Sequence, residues 1–418
     1  MKRRFLAIFV CMAVLLASFT GCYSPQENAP SVPTAPTQTV QSGSGSGAEE
    51  PVEIKTYPLP EENVRANIIY VPSPSTGGFW TCAVFNAKTI QAYDPATKTA
   101  YFPCYQAGCK HNDASCTANF GGVIAGLAEY RGNFYAMIYY NDDTASAFVT
   151  RPVSGGPLQI LASWEPENEN EECRCGFYGL SFGKAYLTVS KETYATEDGQ
   201  AVAVKEEYSK CSLDLETGEL VEYMTDEDGY LPYMHGVWGD VAVFQDWYAD
   251  RPDGTPVKRD GSEDYNFRLY SKNLRTGEEK TIVDVTENFI WTADPHVSWG
   301  QYTVYQVDRS IYVYDMERQT AKEVFTYDQD WEQYNYSIMD GHVSAICGTE
   351  DRCFAWVIDV TDGSVIELDT LGGDVMPFSV NYECNDYFVG IPHDSNNGDK
   401  YYISKEDYYR SNYDAAFR

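Results

Sequence analysis

The sequence predicts an all-β fold, a single β-propeller, because one hairpin unit recurs along the chain. In residues 211–222, two short runs of alternating apolar and polar residues flank a polar turn that contains Asp214 and Gly218. An Asp side chain bonds readily to turn backbone, and Gly adopts positive φ without steric cost. The same turn pattern recurs in residues 94–98, 273–277, 315–319 and 359–363, with a looser copy in residues 151–156.

A second repeated unit precedes the hairpins. Residues 235–239 (His-Gly-Val-Trp-Gly) and 296–300 (His-Val-Ser-Trp-Gly) lead into alternating runs in the same register. Each complete unit therefore contains four predicted strands, and four-stranded repeats of roughly 40 to 60 residues are typical of propeller blades. The sequence contains about seven such units, six or eight blades also fit, and a tandem of β-sandwiches is the alternative fold.

The predicted repeat is incomplete at the C-terminal end of the propeller. The last unit lacks one strand, and residues 67–71 (Asn-Ile-Ile-Tyr-Val) have the composition of a strand that completes it. Such closure removes exposed sheet edges. Only residues 405–417 show a sustained helical period.

The N-terminus has the pattern of an export signal. Three basic residues at 2–4 precede an apolar run at 5–16, which is too short for a membrane-spanning helix of about 20 residues. Residues 19–22 (Phe-Thr-Gly-Cys) resemble a bacterial lipobox, in which Cys22 is lipidated. We therefore expect a signal peptide at 1–21, a flexible Ser/Pro/Thr/Gly tether at 22–56 and the propeller at 57–418. The expected location is the outer face of the cell membrane, held there by the lipid anchor.

The net charge of the chain limits the classes of partner that it is expected to bind. The chain has 30 basic and 62 acidic side chains, a formal net charge of −32. Nucleic acids and anionic lipid surfaces attract basic proteins, so this balance argues against nucleic acid as a partner. We expect a monomer that binds a glycan or a protein.

The densest group of reactive side chains is Cys104, Cys109, His111 and Cys116, with Cys82 as a further candidate member. Cys and His at short spacings can form a tetrahedral zinc site, so a divalent metal is possible. An exported setting favours disulfides instead, and ten cysteines remain outside the signal and the lipidation site. The group is therefore predicted to form disulfides or to bind a metal.

Two further cysteines flank a short predicted loop. Cys347 and Cys353 enclose residues 348–352, so we expect a disulfide across this hairpin.

Three histidines are the candidate ligand-binding residues of the propeller channel. His235, His296 and His342 each precede a predicted innermost strand, which places them near one mouth of the channel. Aromatic side chains lie in the same units and can stack on sugar rings; these are Trp238, Trp247, Trp299, Tyr248 and Trp291. The structural alternative for the histidines is a hydrogen bond to the backbone of a neighbouring blade, and for the aromatic residues it is packing between blades.

The signal, the tether, the run from Cys104 to Cys116 and the ending Ile403-Ser-Lys-Glu-Asp-Tyr408 together resemble a broad group of TolB-like β-propeller surface lipoproteins of Gram-positive anaerobic bacteria. This group carries no assigned activity, and a fold alone does not define function. We expect a binding or scaffold module for an extracellular glycan, peptide or protein, with no catalytic residues assigned. The alternative is an extracellular metal-assisted polysaccharide lyase or hydrolase that uses His235, His296 and His342.

Overall fold

The structure is a computed structural model of the chain. It describes residues 54–67, 71–75, 77–82, 88–111, 115–140, 144–197, 200–226, 231–247, 267–290, 292, 296–349, 352–370, 376–393 and 400–417. Residues 55–418 form one compact unit. Among the described residues, no helix has the length and apolar character needed to cross a bilayer. The predicted signal, Cys22, the tether, Tyr248 and Trp291 lie outside the described residues.

Antiparallel strands are the main secondary structure of the described chain. The first are β1 (Asn63–Arg65), β2 (Val71–Pro72), β3 (Phe79–Cys82), β4 (Ile90–Asp94), β5 (Thr99–Tyr101), β6 (Val123–Tyr130), β7 (Asn133–Tyr140), β8 (Ala145–Pro152), β9 (Gln159–Trp164) and β10 (Glu171–Ser181). They continue with β11 (Lys184–Glu197), β12 (Gln200–Asp214), β13 (Leu220–Asp226), β14 (Tyr233–Trp238), β15 (Val241–Asp246), β16 (Arg268–Asn273), β17 (Glu279–Val283), β18 (Phe289–Ile290), β19 (Ser298–Trp299) and β20 (Tyr302–Val307). The last are β21 (Ser310–Asp315), β22 (Thr320–Thr326), β23 (Gln333–Met339), β24 (His342–Thr349), β25 (Arg352–Asp359), β26 (Val365–Leu368), β27 (Phe378–Glu383), β28 (Tyr387–Pro392) and β29 (Tyr401–Ser404), followed by the helix α1 (Lys405–Tyr409) and a 3₁₀ turn at Tyr413–Ala415.

These strands form seven sheets, which confirms the predicted seven-bladed propeller. Blade 1 contains β2–β5, blade 2 β6–β9, blade 3 β10–β13 with β1 added, and blade 4 β14–β17. Blade 5 contains β18–β22, blade 6 β23–β26 and blade 7 β27–β29. The first strands of adjacent blades contact each other, β2 with β6, β6 with β10, β14 with β19 and β19 with β23. These first strands therefore form the wall of the central channel.

The predicted Asp turn lies in the outer half of each blade that carries it. The Asp214 carboxylate accepts from the backbone N–H groups of residues 216 and 217, at 3.0 and 2.8 Å. Equivalent side chains cap the turns at Asp94, Asn273, Asp315 and Asp359. Each turn links the third and fourth strands of its blade, so the repeat that predicts the fold is scaffold.

The N-terminal segment 55–67, here called the strap, crosses the inner ends of several blades. Its Tyr57 N–H donates to the Asp340 carboxylate at 2.7 Å, and its Tyr57 hydroxyl donates to Asp359 at 2.6 Å, both in blade 6. In the middle of the strap, Glu62 accepts from Arg131 of blade 2 at 2.7 Å. The strap then forms β1, which pairs with the channel-side strand β10. It therefore lines one side of the channel mouth.

The prediction that residues 67–71 complete the last blade is wrong. Asn67 pairs with Leu127 of blade 2, and Val71 pairs with Trp80 inside blade 1. Blade 7 instead keeps three strands, and Phe417 near the C-terminus adds a single bridge to Tyr402 on β29. The two described ends of the segment 67–71 therefore belong to the contacts of blades 1 and 2.

An aromatic stack seals blade 7 against blade 1. The Tyr402 ring on β29 stacks on Phe79 and Tyr93 of blade 1, with ring centroids 5.5 and 4.6 Å away. Lys98 adds its ammonium 4.1 Å from the Phe417 ring centroid. Side-chain packing thus replaces the shared strand that was expected here.

The C-terminal helix is shorter than the sequence period predicts. It spans Lys405–Tyr409, and Ser404 caps it by accepting from the Asp407 N–H at 3.0 Å. Lys405 is 1% exposed, and its ammonium contacts Asp340 at 2.9 Å and Glu383 at 2.8 Å. The helix ends early because Ser411 has a left-handed φ of +56°, and the N–H groups of Ser411 and Asn412 donate to the carbonyls of Tyr408 and Asp407.

Candidate metal centre and channel-side residues

Three cysteines and one histidine converge in the link between blades 1 and 2. The Sγ atoms of Cys104, Cys109 and Cys116 and a ring nitrogen of His111 all lie within 4.8 Å of one another. The His111 Nδ1 atom is 3.4 Å from the Cys116 Sγ atom. Cys116 is fully buried and the other three are half-buried. Among the described residues, this is the group that can hold a metal ion.

Hydrogen bonds from blade 2 and within the link hold this group in place. The Gln106 side chain donates to the Ser115 carbonyl at 2.7 Å, and the Thr117 hydroxyl donates to the Pro103 carbonyl at 3.1 Å. The buried Arg151 guanidinium on β8 donates to the carbonyls of Cys116, Thr117 and Asn119. The bonds of Gln106 and Thr117 join the first part of the link, at residues 103 and 106, to its last part, at residues 115 and 117. Arg151 then ties the last part to blade 2.

The local backbone also favours convergence. His111 has a φ of +57°, a left-handed backbone conformation that few residues other than glycine adopt. The Phe102 ring stacks on the His111 ring at a centroid distance of 4.3 Å and so fixes its orientation.

The thiols of Cys104 and Cys116 have pKa values that are shifted in opposite directions. Burial opposes ionisation of Cys104, but N–H and hydroxyl groups of Gln106 and Thr117 outweigh it and lower the pKa to about 6. Burial raises the pKa of Cys116 to about 12, and the neighbouring thiols add to this.

Cys82 does not join the four ligands. It lies on β3, 8% exposed, in the same hydrophobic cluster as Cys116 and Leu127. Burial raises the pKa of its thiol to about 12. The structure therefore places His111 in the fourth position and Cys82 in the core.

The expected disulfides are absent from the described residues, where all ten cysteines are thiols. On the β24–β25 hairpin, Cys353 pairs with Gly348 and Cys347 pairs with Phe354. Because neighbouring residues of a strand point to opposite faces, Cys347 and Cys353 lie on opposite faces of the sheet. This register explains why the predicted bridge does not form.

His235 lies on β14, the channel-side strand of blade 4, and is 3% exposed. Its Nε2 atom is 2.7 Å from the Gln245 Oε1 atom on the next strand, and its carbonyl accepts from Ser298 at 2.7 Å. Burial lowers the pKa of His235 to about 4. The imidazole is therefore neutral and held inside the blade.

His296 and His342 have different partners. The His296 Nε2 atom lies 2.6 Å from the Asn381 carbonyl of blade 7, in the channel wall. His342 starts β24, the second strand of blade 6, and its Nδ1 atom lies 2.6 Å from the Asp340 carbonyl. Burial lowers the pKa of His342. The three histidines thus occupy three separate environments, and His342 is not on a channel-side strand.

The candidate tryptophans contact other aromatic rings. Trp238 meets Phe182 edge-to-face at 4.8 Å, and Trp299 meets Tyr57 of the strap at 6.1 Å. Trp247 lies edge-to-face with Phe267 at 6.2 Å. All three are half-buried and pack between elements of the propeller.

A channel-side group not predicted from the sequence combines a cation with aromatic rings. Arg65, at the end of β1, donates to the Tyr233 hydroxyl at 3.3 Å, and its guanidinium lies 5.5 Å from the Tyr178 ring centroid. Tyr233 is 46% exposed, and its ring meets that of His235 at 5.4 Å. Arg65 is 168 residues from Tyr233, so no local pattern could have brought them together.

Comparisons with known proteins give likenesses at the level of the fold. No protein-family model matches the chain, and no curated protein matches it. An oligogalacturonate lyase from Vibrio parahaemolyticus is 15% identical, with 84% of this chain and 93% of the lyase covered and a TM-score of 0.45. The β-propeller domain of the Trilobed protease from Pyrococcus furiosus is 11% identical, with coverages of 76% and 87% and a TM-score of 0.41. TolB from Acinetobacter baumannii is 15% identical, with coverages of 76% and 73% and a TM-score of 0.30.

Proposed function

We propose that this chain is an exported, lipid-anchored binding module whose propeller recognises an acidic glycan on the channel side of blades 3 and 4. The observation that carries the proposal is the group of Arg65, Tyr178 and Tyr233. A half-exposed ring stacks on the apolar face of a sugar, while a guanidinium binds a carboxylate in two-pronged fashion.

The local cation, and not the net charge of the chain, favours an anionic ligand at this position. The chain as a whole carries a net charge of −32, which repels anions from most of its surface. Arg65 places a permanent cation beside aromatic rings on the inner side of the propeller. An acidic sugar that enters here meets the guanidinium, while a cationic ligand does not gain from it.

Binding without catalysis fits the placement of the histidines. A lyase or hydrolase needs a base and its partners within hydrogen-bond reach of one substrate atom. His235, His296 and His342 instead contact Gln245, Asn381 and Asp340 respectively. The divalent metal left open by the sequence has its candidate position at the Cys104–Cys116 group, which lies against β8 of blade 2.

Glycan binding is tested by titrating the purified full chain with acidic and neutral polysaccharides. We expect binding to the acidic series alone, and we expect Arg65→Ala and Tyr233→Ala each to weaken it at least about tenfold, or about 1.4 kcal/mol. Tyr105→Ala is the matched control, because Tyr105 is 73% exposed but lies in the link between blades 1 and 2. Equal binding by all variants, or binding only to a protein partner, contradicts the proposal, and release of cleaved sugar identifies an enzyme.

Lipid anchoring is tested in cells. Cys22→Ala is expected to move the protein from the membrane fraction to the medium, because the thiol that carries the lipid is lost. Retention of the variant in the membrane contradicts the anchor without affecting glycan binding.

A further inference from the structure

We infer that Cys104, Cys109, His111 and Cys116 bind one structural zinc ion that closes the link between blades 1 and 2. The site is separate from the proposed glycan-binding group, so either inference can fail without the other.

The distances agree with a tetrahedral ion that draws the ligands inward slightly. Zn–S and Zn–N bonds of about 2.3 and 2.0 Å require ligand atoms to be about 3.5 to 3.8 Å apart. The four donor atoms lie within 4.8 Å of one another, and the Nδ1–Sγ distance between His111 and Cys116 is 3.4 Å. Inward movement by less than about 1 Å completes the tetrahedron.

The chemistry of the four ligand atoms favours zinc over other metals. Three sulfurs and one imidazole are soft or borderline ligands, which suit zinc and do not suit calcium, magnesium or manganese. Zinc has no redox chemistry of its own. Four protein ligands leave no open position for water or substrate, which is the arrangement of a structural rather than a catalytic zinc site.

Surrounding groups already support bound thiolates. The His111 N–H points at the Cys109 Sγ atom, and the Ala118 N–H points at the Cys116 Sγ atom, both at 3.4 Å. Such N–H donors stabilise the charge that thiolates carry when they hold a metal. The Phe102 ring, stacked on His111 at 4.3 Å, orients the imidazole.

The remaining thiols do not compete with this assignment. Cys82, Cys175, Cys211 and Cys384 are each at most 8% exposed, and they lie in hydrophobic clusters between strands. A buried thiol in apolar surroundings is inert and needs no partner sulfur. An even number of cysteines is therefore compatible with a site that uses three.

Metal analysis of the purified full chain tests the site. We expect about one zinc ion per chain, with near-complete loss in Cys109→Ser and full retention in the control Cys82→Ala. Cobalt in place of zinc is expected to show the visible bands of a tetrahedral ion and a near-ultraviolet thiolate band. Iron or copper in place of zinc, no metal, or a disulfide between two of the three cysteines on mass spectrometry overturns the inference.

A second variant keeps the test decisive if Cys109→Ser does not fold. His111→Cys replaces nitrogen by a fourth sulfur and is expected to retain the ion. Its cobalt form should show a thiolate band stronger by about one third, because four thiolates replace three. An unchanged band shows that His111 is not a ligand.

Discussion

The buried Lys405 provides a direct test of how blades 6 and 7 are joined to each other and to the strap. Its ammonium, 1% exposed, contacts Asp340 of blade 6 at 2.9 Å and Glu383 of blade 7 at 2.8 Å. It also donates to the Tyr57 carbonyl of the strap at 3.3 Å. One side chain therefore ties together two blades and the strap.

Lys405→Met keeps an unbranched side chain that is one heavy atom shorter and removes the charge, which leaves two buried carboxylates without their counterion. Breaking a buried pair in this way costs about 3 to 5 kcal/mol. Asp340 keeps hydrogen bonds from the Tyr57 N–H at 2.7 Å and the Tyr409 hydroxyl at 2.9 Å. Glu383 keeps one from the Asp340 N–H at 2.9 Å. These remaining donors place the expected loss near the lower limit, about 3 kcal/mol in the free energy of unfolding.

The loss of unfolding free energy caused by Lys405→Met should be smaller in acid than at neutral pH. Burial raises the pKa of both Asp340 and Glu383 even with Lys405 present, and the lysine opposes this rise. A carboxyl whose pKa is raised in the folded state contributes stability below its unfolded pKa, and this contribution is lost as the pH rises through the folded pKa. Without the lysine the folded pKa values rise further. The difference between the two proteins should therefore be greatest near neutral pH and shrink in acid.

Urea unfolding of the full chain, followed by tryptophan fluorescence at neutral and acidic pH, measures both effects. Lys184→Met is the matched control, because Lys184 pairs with Asp240 at 2.7 Å with both side chains about one third exposed. Such a surface pair contributes about 0 to 1 kcal/mol. Equal losses for the two variants, or a loss at Lys405 that does not shrink in acid, would refute the role of Lys405 in joining blades 6 and 7 to the strap.

Three further changes have expected outcomes. Gln319→Gly should raise the unfolding free energy by about 1 kcal/mol in thermal or urea unfolding, because Gln319 has a φ of +52°; no gain would mean that its turn relaxes. Lys210→Met should stabilise the protein by about 1 to 3 kcal/mol at neutral pH. Burial lowers the Lys210 pKa to about 8, so the gain should fade as the pH rises from 8 towards the unfolded value, and a gain independent of pH would exclude this cause. His235→Gln should resist acid better in a pH titration by circular dichroism, because the His235 pKa is lowered to about 4 and its stability is lost as the pH falls from its unfolded value; an unchanged acid midpoint would contradict this.

The blade architecture was predictable because it rests on local chemistry. A side chain such as Asp214 caps its own turn over three residues, and Gly218 supplies the positive φ of +73° that the turn requires. These contacts recur in five blades, so the sequence period carries them directly. The contact that joins blades 6 and 7 to the strap was not predictable, because Lys405 meets Asp340 across 65 residues and Tyr57 across 348.

The hydrogen-bond partners of the channel-side residues were also not predictable from the sequence. His235 and His296 share a sequence context, His-x-x-Trp-Gly, yet one bonds Gln245 in its own blade and the other bonds Asn381 two blades further along. A repeat specifies the strand on which a side chain lies but not the side chain opposite it. The candidate binding group was missed for this reason, since its cation comes from the strap and its exposed ring from blade 4.

The cysteines show why counting them favoured disulfides that the described residues do not form. The prediction of disulfides depends on pairs of sulfurs that face each other, and an antiparallel register decides this one residue at a time. Cys347 and Cys353 are one residue out of register with each other, so their side chains lie on opposite faces of the sheet. Cys104, Cys109 and Cys116 instead lie outside the strands, where no sheet register constrains them, and their sulfurs lie within 4.8 Å of one another and of a His111 ring nitrogen. Sulfur atoms that converge with an imidazole outside a sheet favour a metal, whereas sulfurs distributed along strands favour the core.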